Sequence, residues 1–102
     1  MALQNYNHVT VAGTPFTLCT AAPGHEIAVV SILASAGATP GNLTITVNNG
    51  TSDIYTVVLA FAEAYNAAFL DSKIFLPAGY ILKVTGSVDG ISVMASADDS
   101  EV

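Results

Sequence analysis

The chain has 102 residues, of which 52% are hydrophobic and 10% charged, with two basic residues against eight acidic ones and a formal net charge of −6. Only Lys73 and Lys83 could neutralise phosphates, which excludes direct nucleic-acid binding and a basic membrane-surface segment. The single cysteine, Cys19, excludes an intrachain disulfide and a cysteine-built metal cluster, and no run reaches the ~18 apolar residues of a spanning helix.

From the N-terminus, residues 1–7 carry the polar run Gln4-Asn5-Tyr6-Asn7 and are expected as an extended arm, with His8 opening a strand. Met1 to Ala12 lacks the basic and apolar regions of a secretory signal, so no export address is expected. Phe16, Leu18 and Thr20 alternate with Thr17 and Cys19, the period of a strand. Ile27 to Ala34 is apolar on both faces: Ile27, Val29 and Leu33 fall on one, and Ala28, Val30, Ile32 and Ala34 on the other. Leu43, Ile45 and Val47 alternate with Thr44, Thr46 and Asn48, a strand with one buried face. Ile54 to Leu59 is again apolar on both faces, Tyr55, Val57 and Leu59 standing opposite Ile54, Thr56 and Val58.

The segment from Ala60 to Leu70 is ambiguous. Phe61, Ala64, Tyr65, Ala68 and Phe69 follow helical spacing, while Leu59, Phe61, Glu63 and Tyr65 fit alternation; the alternatives are a short helix or an extended loop between strands. Tyr80 to Thr85 and Ile91 to Ser96 return to clear alternation. Between these runs lie turn signals at Gly13-Thr14-Pro15, Pro23-Gly24, Gly37 to Asn42, Asn49-Gly50, Pro77-Ala78-Gly79 and Asp89-Gly90. Strands and turns together predict an all-β, single-domain antiparallel β-sandwich of jelly-roll type with about eight short strands, spanning residues 1–102 and ending in an acidic tail over 97–102.

A strand apolar on both faces needs cover on both sides. In a two-layer domain the second cover comes from a neighbouring subunit or a docking surface, which makes Ile27, Val29, Val30, Ile32 and Leu33 of the first such strand interface candidates. Ile54, Tyr55, Val57, Val58 and Leu59 of the second join them.

The chemistry-bearing residues form no recognisable catalytic motif. His25-Glu26 lacks the second histidine of a zinc-hydrolase helix, position 29 being Val, and both His8 and His25 read as surface turn or strand residues. There is no Gly-x-Ser-x-Gly elbow and no phosphate loop, so no catalytic residue, metal or cofactor is expected. Asp98, Asp99 and Glu101 lack the spacing of a calcium loop and read as solvated. Cys19 is expected to be a buried or interface thiol. Asn42-Leu43-Thr44 and Asn49-Gly50-Thr51 match the glycosylation sequon and are read as chance matches. The aromatic residues Phe16, Tyr55, Phe61, Tyr65, Phe69, Phe75 and Tyr80 are expected in core or subunit packing, a sugar-binding platform being the alternative.

Two blocks resemble a known family. Thr17 to Leu33, TLCTAAPGHEIAVVSIL, is similar to the opening segment of small β-sandwich structural proteins of tailed-bacteriophage virions, the decoration and tail-accessory proteins. Phe75 to Ser87, FLPAGYILKVTGS, with Gly90 to Val93 and the Glu101-Val102 end, resembles their closing segment. Together the blocks cover about half the chain; the sequence departs from the pattern at Ala34 to Gly37, where an Asn is usual, and in the alanine-rich stretch from Ala60 to Leu70.

The resemblance implies a non-enzymatic virion structural protein, first of all a capsid decoration or cement protein, with a tail or neck component as the alternative; from a different class, the sandwich and the aromatic residues leave a carbohydrate-binding module as a further alternative. It implies a homo-oligomer, for which a trimer suits the apolar excess, and partners that are the major capsid protein or other virion proteins, with no nucleic acid and no membrane. The expected location is the virion exterior after synthesis in the host cytoplasm, the arm over residues 1–7 reaching a neighbouring subunit.

Overall fold

In chain order the backbone forms β1 (Ala2–Val9), β2 (Phe16–Thr20), β3 (His25–Ser35), β4 (Gly41–Asn48), β5 (Asp53–Phe61), β6 (Ala67–Leu70), β7 (Ile74–Leu76), β8 (Ile81–Gly86) and β9 (Ser92–Glu101). The structure is a computed structural model that describes residues 2–71 and 73–102, and among the described residues there is no helix. One sheet runs β1-β9-β3-β6, with β7 also on β3; the other runs β2-β8-β4-β5, and every pairing is antiparallel.

Strands β6 and β7 share one lane. β6 pairs with Ile32 to Ser35 of β3, and β7 pairs with Ile27 to Val29. Counted as one interrupted strand they give four lanes in each sheet, and the chain changes sheet at every connection except the β4–β5 hairpin and the β6–β7 interruption. This is the winding of a jelly-roll sandwich, as the alternating strands and regular turns predicted.

The inner faces form one core. Ile27, Val29 and Ile32 of β3, Leu76 of β7, and Val93, Ala95 and Ala97 of β9 meet Leu43, Ile45 and Val47 of β4 and Leu82 and Val84 of β8. Each fully buried Val, Leu or Ile contributes about 1.5–3 kcal/mol as an upper estimate. The turns are built from the residues that the sequence marked. In the β4–β5 hairpin, the Asn48 side-chain oxygen accepts the Gly50 N–H at 2.7 Å, and that of Asn49 accepts the N–H groups of Thr51 and Ser52 at 3.0 and 2.8 Å. Gly79, at φ +87°, sits before β8 in the left-handed region that glycine enters without steric cost.

Register shifts interrupt three ladders, one of them at Ile54 of β5, where Val47 pairs with Tyr55 and Asn48 with Asp53; the other two reset which residues face the core. Between Val29 and Ser31 the β3–β9 register shifts by one residue, so Ile27, Val29, Ile32 and Ala34 all point inward while Val30 and Leu33 point outward. The strict alternation expected for this strand, with Leu33 sharing a face with Ile27, is thereby corrected. A second register shift between Thr17 and Cys19 turns both Leu18 and Cys19 into the core.

The segment from Ala60 to Leu70 contains neither a helix nor one extended loop. β5 continues to Phe61, whose ring is buried; a turn follows, and the chain re-enters the other sheet as β6. Tyr65 holds that turn at φ +61°, its N–H donating to the Gly37 carbonyl at 2.9 Å. The chain ends also differ from expectation. Met1 of the expected arm lies outside the described residues, but residues 2–7 belong to β1, paired along its length with β9. Residues 97–101 of the expected tail belong to β9 between β1 and β3, with Ala97 in the core. Backbone groups in these segments gain hydrogen-bond partners by joining the sheet, which a free arm or tail would leave to water.

Candidate interaction surface

The two open sides of the sandwich are built differently. On the β1–β2 side, the His8 ring stacks on Phe16 with centroids 3.7 Å apart and an interplanar angle of 1°, bridging the two edge strands. On the opposite side, β5 faces the short strands β6 and β7. Because that lane is interrupted, its side chains do not cover the inner face of β5. A cleft of about 330 Å³ remains, lined by Val47, Tyr55, Val57, Leu70, Ile74 and Phe75 among others.

Cross-strand pairing explains why β5 lines it. Tyr55 lies opposite Val47, Val57 opposite Ile45 and Leu59 opposite Leu43, so these side chains share the face that forms the core elsewhere. Along β5 only Phe61 is fully buried and Leu59 partly so. Among the described residues β5 pairs with β4 alone, leaving its other edge without a strand partner. From Ile54 to Phe61 that edge carries no charge and no proline, the devices that usually blunt an edge strand. Its one charged residue, Asp53, is held at the start of the strand by the Asn48 amide at 2.8 Å and the Lys83 ammonium at 3.2 Å. The Asn48 hydrogen bond, then Lys83, lowers the Asp53 pKa below the ordinary carboxylate value.

The interface candidates divide accordingly. Ile27, Val29 and Ile32 are fully buried in the chain's own core and cannot contact a partner, a correction that follows from the β3 bulge and from the cover supplied by β4 and β8. Val30 and Leu33 are exposed on the outer face of β3. Ile54, Tyr55, Val57 and Val58 are exposed along β5, and Leu59 packs partly against the core. Of the aromatic residues expected in core or subunit packing, Phe61 alone is buried in the chain's own core; Tyr80 is half-buried, and Phe16, Tyr55, Tyr65, Phe69 and Phe75 are exposed. The sequence left Phe69 and Phe75 open between core and surface because the short strands that carry them have too few residues to show a period.

Several titratable residues are tied into the scaffold. His25 Nδ1 lies 2.9 Å from Asp99 Oδ1, joining β3 to β9. The Cys19 thiol is buried, and burial, with the charge of Asp99 adding to it, pushes its pKa up to about 11 despite an opposing backbone hydrogen bond at Leu82. It is therefore protonated and unreactive near neutrality. Burial first, then the charges of Cys19 and Asp99, raises the pKa of Tyr6. Among the described residues no group of three or more His, Cys, Asp or Glu could hold a metal ion. What the surface offers is apolar contact and a free strand edge.

No protein-family model matches the chain, and no curated protein is similar to it in sequence. Among solved structures, the crystal structure of a pentameric capsid protein isolated from metagenomic phage sequences is similar at 20% identity and a TM-score of 0.45. The match covers 93% of this chain and 59% of that one, so the chain spans less than two thirds of that protein's length.

Proposed function

We propose that this chain is a non-enzymatic structural protein of a tailed-phage virion, a capsid decoration or cement protein that acts in several symmetric copies. The observation that carries the structural role is the open edge of the sandwich along β5, where Ile54, Tyr55, Val57 and Val58 are exposed beside a mainly apolar cleft. Such a surface serves to be covered by protein. The virion assignment is supported by the two blocks that resemble the phage family. Thr17 to Leu33 spans β2 and β3, and Phe75 to Val102 spans β7 to β9. The fold brings these distant blocks together as β2 on β8 in one sheet and β3 on β7 and β9 in the other. The alanine-rich stretch that departs from the pattern lies at the apolar side, where a particular assembly would set its own contacts.

Under this reading the protein binds the major capsid protein or another virion protein from the particle exterior, and its acidic charge suits that side better than one facing DNA. Sedimentation of the purified protein at micromolar concentration tests self-association: oligomers are expected, and a stable monomer would count against it. Incubation with particles lacking the protein tests the location. Saturable occupancy on capsids supports decoration, occupancy on tails moves the assignment to the tail or neck, and occupancy on neither overturns the virion role.

The exposure of Tyr65, Phe69 and Phe75 favours a second reading, a carbohydrate-binding module. Glycan-array binding that Tyr65→Ala abolishes would support it, and silence across the array would remove it.

A further inference from the structure

We propose that the outer face of the β1-β9-β3-β6 sheet is a docking surface for a different protein, one whose apolar side chains are flanked by Lys or Arg. This rests on the virion reading above and names the face that attaches to the particle and the chemistry of what it meets.

Cross-strand pairing assembles the face, because directly opposed side chains stand on one side of a sheet. Asn7, Met94, Leu33 and Phe69 form one row across β1, β9, β3 and β6. Leu3, Asp98, Ala28 and Phe75 form another across β1, β9, β3 and β7, and the β3 bulge turns Val30 outward between the two. Leu3, Phe69, Phe75 and Leu33 are 74%, 61%, 54% and 42% exposed. Beside the first row opens a shallow groove of about 450 Å³, lined by Val9, Leu33, Ser35, Ala67, Ser92 and Met94 among others. At ~150–250 Å² per aromatic side chain, the two phenylalanines alone expose roughly 200 Å². With Leu3, Val30, Leu33 and Met94 the face reaches the ~300–600 Å² of the largest apolar patches on monomers, which are often functional.

Charge selects the occupant. The strands of this sheet carry Glu26, Asp98, Asp99 and Glu101 and no Lys or Arg. Glu26 and Asp98 belong to the outer face, since their chain neighbours Ile27 and Ala97 are buried in the core. Asp98 stands between Leu3 and Phe75 in its row, so a partner that covers both apolar side chains also covers the carboxylate. Taking a carboxylate out of water is costly unless a cation meets it. A second copy brings none on this sheet: laid parallel, it sets carboxylates on carboxylates, and laid antiparallel, it sets them on the apolar row and the groove. The chain's own cations are elsewhere, Lys73 lining the cleft beside β5 and Lys83 lying 3.2 Å from Asp53 on the other sheet. Nucleic acid and anionic lipid are repelled by the same carboxylates. A protein surface with Lys or Arg beside its apolar side chains fits both parts of the face. Met94 and Asp98 are four strand residues apart, which sets the partner's apolar anchor and its cation about 13 Å from each other.

The test measures the occupancy of the full chain on particles that lack it, at low and at high salt, with sedimentation alongside. For the native protein, raising the salt is expected to weaken attachment about tenfold. Leu33→Asp should weaken it roughly 100-fold, and Phe69→Ser, on the short strand at the edge of the sheet, serves if the first variant does not fold. Glu26→Gln combined with Asp98→Asn should weaken it about tenfold and flatten the salt dependence. Thr46→Ala, on the other sheet, should leave it unchanged. Attachment that survives Leu33→Asp and Phe69→Ser in folded protein, or that ignores both salt and the Glu26→Gln, Asp98→Asn pair, overturns this assignment and leaves the virion reading standing. Variants that abolish self-association while particle occupancy persists identify a second copy as the occupant and overturn it as well. Native protein that occupies no particle overturns both.

Discussion

Thr10 and Ile91 are hydrogen-bonded to each other twice: the Thr10 N–H donates to the Ile91 carbonyl at 2.9 Å, and the Ile91 N–H donates to the Thr10 hydroxyl at 3.0 Å. The hydroxyl donates in turn to the Val88 carbonyl at 2.8 Å. One buried side chain thus fastens the exit of β1 to the entrance of β9, the two strands that pair along one side of the sandwich.

Thr10→Val keeps the shape but leaves the Ile91 N–H without its acceptor and the Val88 carbonyl without its donor. A loss of about 2 kcal/mol is expected, or roughly 10 °C in Tm. Gly86→Ala should act at the same point, since a Cβ there would come within 2.8 Å of three Thr10 side-chain atoms; the overpacking should cost about 1–3 kcal/mol. Thermal unfolding at one fixed protein concentration measures both.

The β3 bulge makes neighbouring residues unequal. Ile32→Ala should cost about 2–5 kcal/mol, because the side chain is fully buried, whereas Leu33→Ala on the outer face should cost less than about 1 kcal/mol. Comparable losses, measured by urea denaturation, would show that Val30 and Ser31 do not reset the strand.

Cys19 should resist iodoacetamide at pH 8 in the folded protein and react once the chain is unfolded. Its raised pKa also has a stability sign. The folded state disfavours the thiolate, so the contribution is whole below the unfolded thiol's pKa of ~8.5 and is lost as the pH rises toward about 11. The stability difference between the native protein and Cys19→Ala should therefore shrink over that interval, by an amount on the order of 2 kcal/mol.

Asp53 has the opposite sign. Its lowered pKa means that its contribution is present above the ordinary carboxylate pKa and lost as the pH falls through the folded value. Following the Asp53 carboxyl by NMR, Asn48→Ala should move the midpoint up toward the ordinary value, and Lys83→Met should move it in the same direction.

The strands that were legible in the sequence are those with one apolar face: the alternations at Leu43 to Asn48, Tyr80 to Thr85 and Ile91 to Ser96 correspond to β4, β8 and β9. β6 and β7 were not legible, because three or four residues carry too little pattern to distinguish a strand from a helix or loop. Cys19 was legible as a buried or interface thiol, and the structure buries it; β5 was legible as apolar on both faces. That Ile27, Val29 and Ile32 belong to the core was hidden by a bulge, which local composition does not announce.

Composition and period-two alternation alone determined an all-β sandwich with more apolar surface than one small domain covers, since both depend only on which residues stand next to each other in the chain. Tertiary structure decided where that excess is exposed. β3 and β5 look equally double-faced in sequence, yet β3 lies between two neighbouring lanes over a filled core, and β5 takes an edge beside an interrupted lane. The physical reason is that a strand's own residues set its faces, while its cover is set by neighbours that the winding of the chain brings from elsewhere.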